Sequence, residues 1–320
     1  MFRSLFLVLI FFSFWGNTAI QNNSYIEYHQ RIDLAENLIS TERFDESLQV
    51  YIKLFDDYKF VFLRDYKVAS QVALKCNKKE LAFVFIKNAI SNGWSKKSLK
   101  KNIYLKVLQS DDRWSELMKE YDVLRSNYSN KLNLAMREEV HQMFKKDQKK
   151  AFGAFIKLGN KAQEKYIKNK FVPHSETQMK VLRKMLEKEG YPGEKLIGNN
   201  YWMSTIVSHH NSMSKEYNQK DTLFKSLKPQ LFQALDRGEI SPYEIALMED
   251  WYLTVTSSGS AVGYGFLNSP KKSTLDQTNK LRQTLGLRSV ELRNKLVDIE
   301  EKTGMNFYLP DWVNGKISIK

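Results

Sequence analysis

His209 and His210, adjacent in the run Ser208-His209-His210-Asn211, are the side chains best suited to acid–base work or metal binding near neutral pH. The apolar spacing around them predicts a helix over 201–217. On a helix, consecutive side chains point about 100° apart, so only one of the two rings can face a given pocket. Ile206 and Met213 lie near their faces and imply partial burial of either ring. One histidine with two carboxylates could hold a divalent metal or form the acid–base pair of a hydrolase. Asp147, in Lys146-Asp147-Gln148, is one available carboxylate. Nothing in the spacing matches a specific metal motif such as His-Glu-x-x-His. A histidine satisfied by a carboxylate, tying two helices together, accounts for the same residues and is the preferred reading. A binding pocket without chemistry and an active site compete with it.

Other motifs carry less chemistry. Ser257-Ser258-Gly259-Ser260 and Gly263-Tyr264-Gly265 lack the Gly-Lys-Ser/Thr ending of a phosphate loop and any preceding strand. They read instead as a loop over 257–269 tucked against the domain, with Tyr264 as its anchor. No Gly-x-Ser-x-Gly elbow and no Cys/His nucleophile pair stands out. Cys76 is the only cysteine, so no intramolecular disulfide can form. Neighbouring lysines could activate its thiol, but an incidental small residue is the better reading.

Charge offers a second kind of site. The chain carries a formal +14 and a sequence pI near 9.5, which permits attraction to phospholipid, nucleic acid or anionic glycan without choosing among them. Nine lysines between Lys145 and Lys170, against Asp147 and Glu164, supply half of that excess. Mostly they read as a solvated helix face. The alternative is contact of Lys145, Lys146, Lys149, Lys150, Lys157 and Lys161 with an anionic membrane or glycan.

The address bears on that choice. Arg3 followed by the apolar run Leu5–Trp15, broken only by Ser13, has the length of a signal-peptide core and is too short to span a bilayer comfortably. A signal peptide over 1–19 is expected, with cleavage after Ala19 or Gly16, although Asn17 and Phe14 occupy the position where a small residue is preferred. An uncleaved anchor is the competing reading. No cysteine adjoins the run, so a lipoprotein is not expected, and no later stretch approaches about 18 continuous apolar residues. The expectation is a periplasmic or secreted protein, which weakens readings that need nucleic acid or ATP.

The elements that must position these residues are helices. With 42% hydrophobic residues, 19 Phe and 16 Tyr, the chain can fill a sizeable core, and with only 14 Gly and 6 Pro it favours long helices over turn-rich sheets. The fold class expected is all-α. From Tyr25 to about Arg125 apolar residues recur at helical spacing, with polar breaks at 40–42, 77–79 and 92–95. Ser47, Tyr51 and Leu54 superpose on Ala82, Ile86 and Ala89 at an offset of 35 residues. Small, large, small at these positions lets paired helices lie close. The offset is near the roughly 34-residue tetratricopeptide period, and Tyr25–Asn92 resembles such repeats. Glu36 and Asn37 depart from the apolar pattern, and no third copy registers. Two repeats leave apolar faces uncovered, so the segment is expected to pack against its neighbours. Ala89–Leu117 resembles a bacterial repeat ending, a helix closing on Gly93-Trp94 followed by a cap ending in Arg113-Trp114. Both tryptophans then plug the exposed repeat end.

Connecting helices are expected over 126–170, ended by Pro173, with Ser175 and Gln178 forming a capping box for the next helix. Helical spacing continues over 177–189, 201–217, 222–237, 242–254 and 273–301. From about His141 to Phe266 the chain resembles an uncharacterised bacterial domain family of unknown function. Its Gly-Trp-Pro, Gly, Gln-His-Ala-Asp, Asp-Arg and Tyr-Gly-Thr signature reads here Gly190-Tyr191-Pro192, Gly198, Ser208-His209-His210-Asn211, Asp250-Trp251 and Tyr264-Gly265-Phe266. The backbone-determining residues match, whereas several polar ones are replaced, including an upstream Asp and Asn by Ser175 and Gln178. The resemblance adds Asp250, beside Glu249, to His209 and Asp147 as a site carboxylate. The organisation expected is therefore a repeat segment with cap over 25–125, connecting helices, and a helical domain over 171–320. The leading functional reading is an exported binding or scaffold protein that uses the repeats to contact a protein or peptide. The alternative is a divalent-metal-dependent hydrolase of an extracytoplasmic substrate using His209 and Asp250.

Overall fold

The computed structural model describes residues 24–311 and 313–320; the expected signal segment, 1–19, lies outside them. Among the described residues the chain is all-α, with sixteen α-helices and no strand. The first layer holds α1 (Tyr25–Ser40), α2 (Phe44–Asp57), α3 (Leu63–Lys75) and α4 (Lys79–Ile90), followed by α5 (Lys96–Lys101) and α6 (Asp112–Asn130). Next come α7 (Leu134–Phe155), α8 (Asn160–Tyr166), α9 (Val172–Lys188), α10 (Glu194–Ile197), α11 (Trp202–Asn211) and α12 (Lys215–Lys220). The chain continues through α13 (Leu223–Asp236), α14 (Pro242–Thr256), α15 (Leu275–Thr284) and α16 (Val290–Thr303).

Two antiparallel hairpins, α1–α2 and α3–α4, build the first core. Ala35, Ser47, Ala73, Ala82 and Ala89 are fully buried and let the helices approach, while Tyr28, Tyr51, Leu54 and Ile86 fill the grooves. The two turns share two backbone hydrogen bonds at the 35-residue offset. Arg43 N donates to Leu38 O and Glu42 N to Ile39 O; Lys78 N donates to Ala73 O and Asn77 N to Leu74 O. Glu42 and Asn77 both take φ of 59°, the left-handed conformation that closes such helix ends. Trp94 and Trp114 are buried at the far end of this core.

The open face of α1 is covered from an unexpected direction. Leu292, Leu296 and Ile299 of α16, with Met305 and Phe307 beyond it, join the first core rather than the second. The stretch 171–320, expected as a separate domain, thus contributes its last helix to the first layer. The second core gathers α7, α9, α11, α13 and α14 around Met179, Leu182, Ile206, Val207, Leu231 and Met248.

Local boundaries differ from the sequence reading in three places, one being the stretch over 273–301, which is divided into α15 and α16. Pro173 does not end a helix but occupies the first turn of α9, where its missing N–H is harmless. Ser175 is consequently inside α9, fully buried, and caps nothing. The helix expected over 201–217 is split into α11 and α12, because Ser214 caps a new helix by accepting from Tyr217 N.

Candidate functional site

α7 and α11 lie side by side in the second core and bring Asp147 to His209. The His209 Nδ1 is 2.6 Å from Asp147 Oδ2, with Asp147 fully buried and the His209 side chain 29% exposed. A carboxylate that accepts from Nδ1 fixes the ring and leaves Nε2 as the working nitrogen. Asp147 Oδ1 has no hydrogen-bond partner among the described residues, and the half-buried His174 nearby has an unpartnered Nε2. Burial, opposed by the charge of Asp147, holds the His174 pKa below its ordinary value.

His210 points the other way, as the helical rotation requires. Its ring is fully buried, Nδ1 lies 2.9 Å from Ser175 Oγ, and Nε2 lies 3.3 Å from Asp221 Oδ2. Asp221 also accepts from Leu223 N and Phe224 N, capping α13. Burial would raise the Asp221 pKa, but His210 and these two N–H groups outweigh it and lower it. His210 thus faces Asp221 across the second core as His209 faces Asp147.

Asp250 stands apart from that pair. Its carboxylate accepts from Tyr264 N at 2.5 Å, Phe266 N at 2.8 Å and Leu267 N at 3.4 Å, and so anchors the 257–269 loop. The close approach requires Gly263, where a Cβ would sit 2.3 Å from Asp250 Oδ1. Tyr264 is buried over this anchor, as expected of the loop. Sequence reasoning made Asp250 a site carboxylate; the structure gives its oxygens to backbone. Among the described residues no group of three or more His, Cys, Asp or Glu is arranged to hold a metal ion. Cys76 ends α3 half-buried, and burial pushes its thiol up to about 11, the opposite of activation.

The largest concentration of enclosed charge lies elsewhere, in a cleft between the two cores. An inner chamber of about 50 Å³ is lined by α1, the start of α3, the 194–201 segment, the start of α14, and Arg288. It adjoins an outer cavity of about 430 Å³ that shares Arg64, Asn199, Tyr201, Tyr243 and Glu244. Fully buried Glu36 bridges two guanidinium groups, those of Arg64 and Arg288, the latter at 2.8 Å. Arg64 also meets Asp65 at 3.0 Å, and Asp65 accepts from Tyr28 Oη at 2.6 Å. Glu36, charged where an apolar residue was expected, is the centre of this network.

Three further carboxylates face the chamber without an ion pair among the described residues: Asp33, Glu194 and Glu244. Glu194 Oε1 accepts from Leu63 N at 2.6 Å, and Glu244 accepts from Ser241 N and Tyr191 Oη. Burial pushes Glu194 up to about 8 and Glu244 to about 7. Burial and the charge of Glu36 push Asp33 to about 6. His29, buried beside them, is pushed down to about 3 by burial and by the charges of Arg64 and Arg288, so it is neutral. Its Nε2 has no partner among the described residues, nor has Nη1 of Arg288. Unpaired polar atoms at a cavity wall are where a ligand or water completes the hydrogen bonding.

Sequence reasoning missed this cleft because its residues come from six separated stretches with no shared spacing. The one local signal was the charged Glu36 at a position where an apolar residue was expected. Fold and site together define an all-α protein with a charged ligand-sized cleft between two helical cores. Comparison with protein-family models, curated proteins and solved structures finds no match for the chain.

Proposed function

We propose that the protein is an exported binding protein, with the α1–α4 hairpins as a tetratricopeptide-like surface for a protein or peptide and the cleft as the seat of an ammonium group on that partner. The observation that carries this reading is the charge balance of the inner chamber. Arg64 and Arg288 are matched by Glu36 and Asp65, leaving Asp33, Glu194 and Glu244 without an ion pair among the described residues; the charges of Arg288 and Arg282 reach Asp33 and that of Lys67 reaches Glu194 only from a distance. Burial outweighs the distant positive charges and holds these carboxylates above their ordinary range, and a bound amine supplies closer compensation as they lose their protons. The unpartnered His29 Nε2 offers a neutral hydrogen bond in the same chamber. An outer cavity of about 430 Å³ falls in the range of small-molecule and peptide side-chain sites.

The repeat reading is supported by the matching turns at Glu42 and Asn77 and by the small residues between the hairpins. The reading of 141–266 as a member of the uncharacterised domain family is supported by Gly190, whose φ of 105° suits only glycine. Export rests on the apolar run Leu5–Trp15. Retention of peptides on the immobilised full chain tests the function. Peptides with free amino termini should be held in preference to the same peptides acetylated, and Glu194→Gln with Asp33→Asn should abolish the difference. Equal retention of both forms would refute the cleft reading, and failure of crosslinking to recover any envelope or secreted partner would count against a binding protein altogether.

A second reading, the divalent-metal-dependent hydrolase, is favoured by one observation. His209 is partly exposed and oriented by a buried aspartate, the arrangement of a general base or a metal ligand with its supporting carboxylate. It uses Asp147 in the supporting position rather than Asp250.

A further inference from the structure

Eleven large apolar side chains are exposed among the described residues, and four of them fall within seven positions: Phe152 at 62%, Phe155 at 79%, Ile156 at 53% and Leu158 at 94%. They mark the turn between α7 and α8. Every residue from 155 to 162 is exposed, so the turn projects from the second core. The projection is built. Ala154 is the last buried residue of α7, and Gly153 lets Tyr166 of α8 close against it, since a Cβ there would lie 2.2 Å from Tyr166 Oη. Lys157 Nζ lies 5.4 Å above the same ring.

Around this apolar tip stand the nine lysines of 145–170. All but Lys150 are exposed, and Asp147, one of two acidic residues in the stretch, is turned inward to His209. Apolar side chains at a projecting turn are costly in water. A solvated lysine face accounts for the charge and leaves Phe155 and Leu158 unexplained; a nucleic acid or glycan partner does the same. A bilayer with anionic headgroups answers both features, because it offers negative charge at its surface and hydrocarbon just beneath. We propose that the α7–α8 turn is a peripheral membrane contact, with Phe155, Ile156 and Leu158 entering the headgroup boundary and the exposed Lys149, Lys157 and Lys161 meeting anionic lipid phosphates. This inference is independent of the cleft.

The apolar run at 5–15 can hold the full chain on any bilayer, so a local probe is needed. In the full chain with Cys76→Ser, an environment-sensitive fluorophore on Leu158→Cys is compared with one on Val123→Cys, an exposed apolar position beside Asp122. With vesicles of phosphatidylcholine and phosphatidylglycerol, the probe at 158 should shift to the blue and be quenched by nitroxide lipid, while that at 123 should not. Phosphatidylcholine alone should give neither effect. Salt near 1 M, where screening acts over about 3 Å, should reverse the shift. Replacing Lys149, Lys157 and Lys161 by Gln should weaken insertion about a hundredfold, at about fivefold for each lysine. Phe155→Ser should remove quenching while circular dichroism stays unchanged, since the residue is exposed. A silent probe at 158 on anionic vesicles, or an equal response on neutral ones, overturns the proposal. So does a blue shift that rises with protein concentration without vesicles, which would make the tip a contact between copies.

Discussion

Gln71 and Asn306 face each other like two residues of paired strands: the Gln71 amide donates to Asn306 O at 2.6 Å and accepts from Asn306 N at 2.8 Å. A side chain of α3 thus satisfies both backbone groups of a residue beyond α16 and closes the first core over Phe307. Gln71 is fully buried while Asn306 is exposed, so Gln71→Ala removes two part-buried hydrogen bonds and leaves a cavity at position 71. A loss of about 2–3 kcal/mol is expected, read as a lower midpoint in urea unfolding. Gln71→Glu should cost at least as much, because its carboxylate cannot donate to Asn306 O. An unchanged midpoint for Gln71→Ala would mean that the 305–308 segment is held by Phe307 packing alone.

The His209–Asp147 pair separates the structural from the catalytic reading of α11. As a tie between α7 and α11, its double-mutant cycle with alanine should return a coupling of about 1–2 kcal/mol. Thermal unfolding with EDTA, Mg²⁺, Mn²⁺, Zn²⁺ or Ca²⁺ should then give one common midpoint. A metal at about 100 times its dissociation constant would add roughly 2.7 kcal/mol. Such a gain for one metal, absent in His209→Ala, would instead favour the hydrolase and direct a substrate screen to this pair.

Much of the helical order was legible before any coordinates, because apolar spacing is a local property. The helices over 222–237 and 242–254 correspond to α13 and α14 within two residues. The hairpin offset was visible because Ser47 and Ala82 must both be small where helices touch. What lay beyond reach was long-range. Ser175 followed by Gln178 reads as a capping box, yet His210, 35 residues away, takes the serine hydroxyl. Asp250 reads as a site carboxylate until the loop at 264–267 supplies its three N–H groups. The return of α16 to cover α1 follows from no local pattern, and it is this return that carries Arg288 to Glu36 and closes the cleft.

Asp250 makes a testable claim about the loop. Asp250→Ala removes the acceptor for three amides at once, and the Tyr264 and Phe266 N–H groups are buried. Amide exchange at 264 and 266 should rise by orders of magnitude, with a stability loss of about 2–4 kcal/mol. Gly263→Ala should reproduce part of this through its clash with Asp250 Oδ1. Retained protection at 264 and 266 would show that Tyr264 packing, not the carboxylate, holds the loop.

The acid groups of the cleft make the sharpest prediction, because its sign is opposite to that of ordinary carboxylates. Glu194 titrates near 8 in the folded chain, above the usual carboxylate value it regains on unfolding. Between those values the folded chain holds a proton that the unfolded chain has lost, so stability falls as pH rises toward 8. Glu244, near 7, adds to the fall over a narrower range. Glu194→Gln keeps an acceptor for Leu63 N and removes the titration. Its stability relative to wild type should therefore rise between pH 5 and 8, as urea midpoints measured at each pH will show, with the slope differing by up to about one proton. An ammonium ligand in the same chamber must displace that proton. Its binding should strengthen from pH 6 to 7, where a peptide amino terminus is still charged, and this pH dependence should be smaller in Glu194→Gln, where only Asp33 and Glu244 still titrate; calorimetry in buffers of different ionisation enthalpy should register proton release. A parallel fall in the stability of both chains with pH would show that Glu194 is already ionised and paired, and that the cleft has no need of a cation.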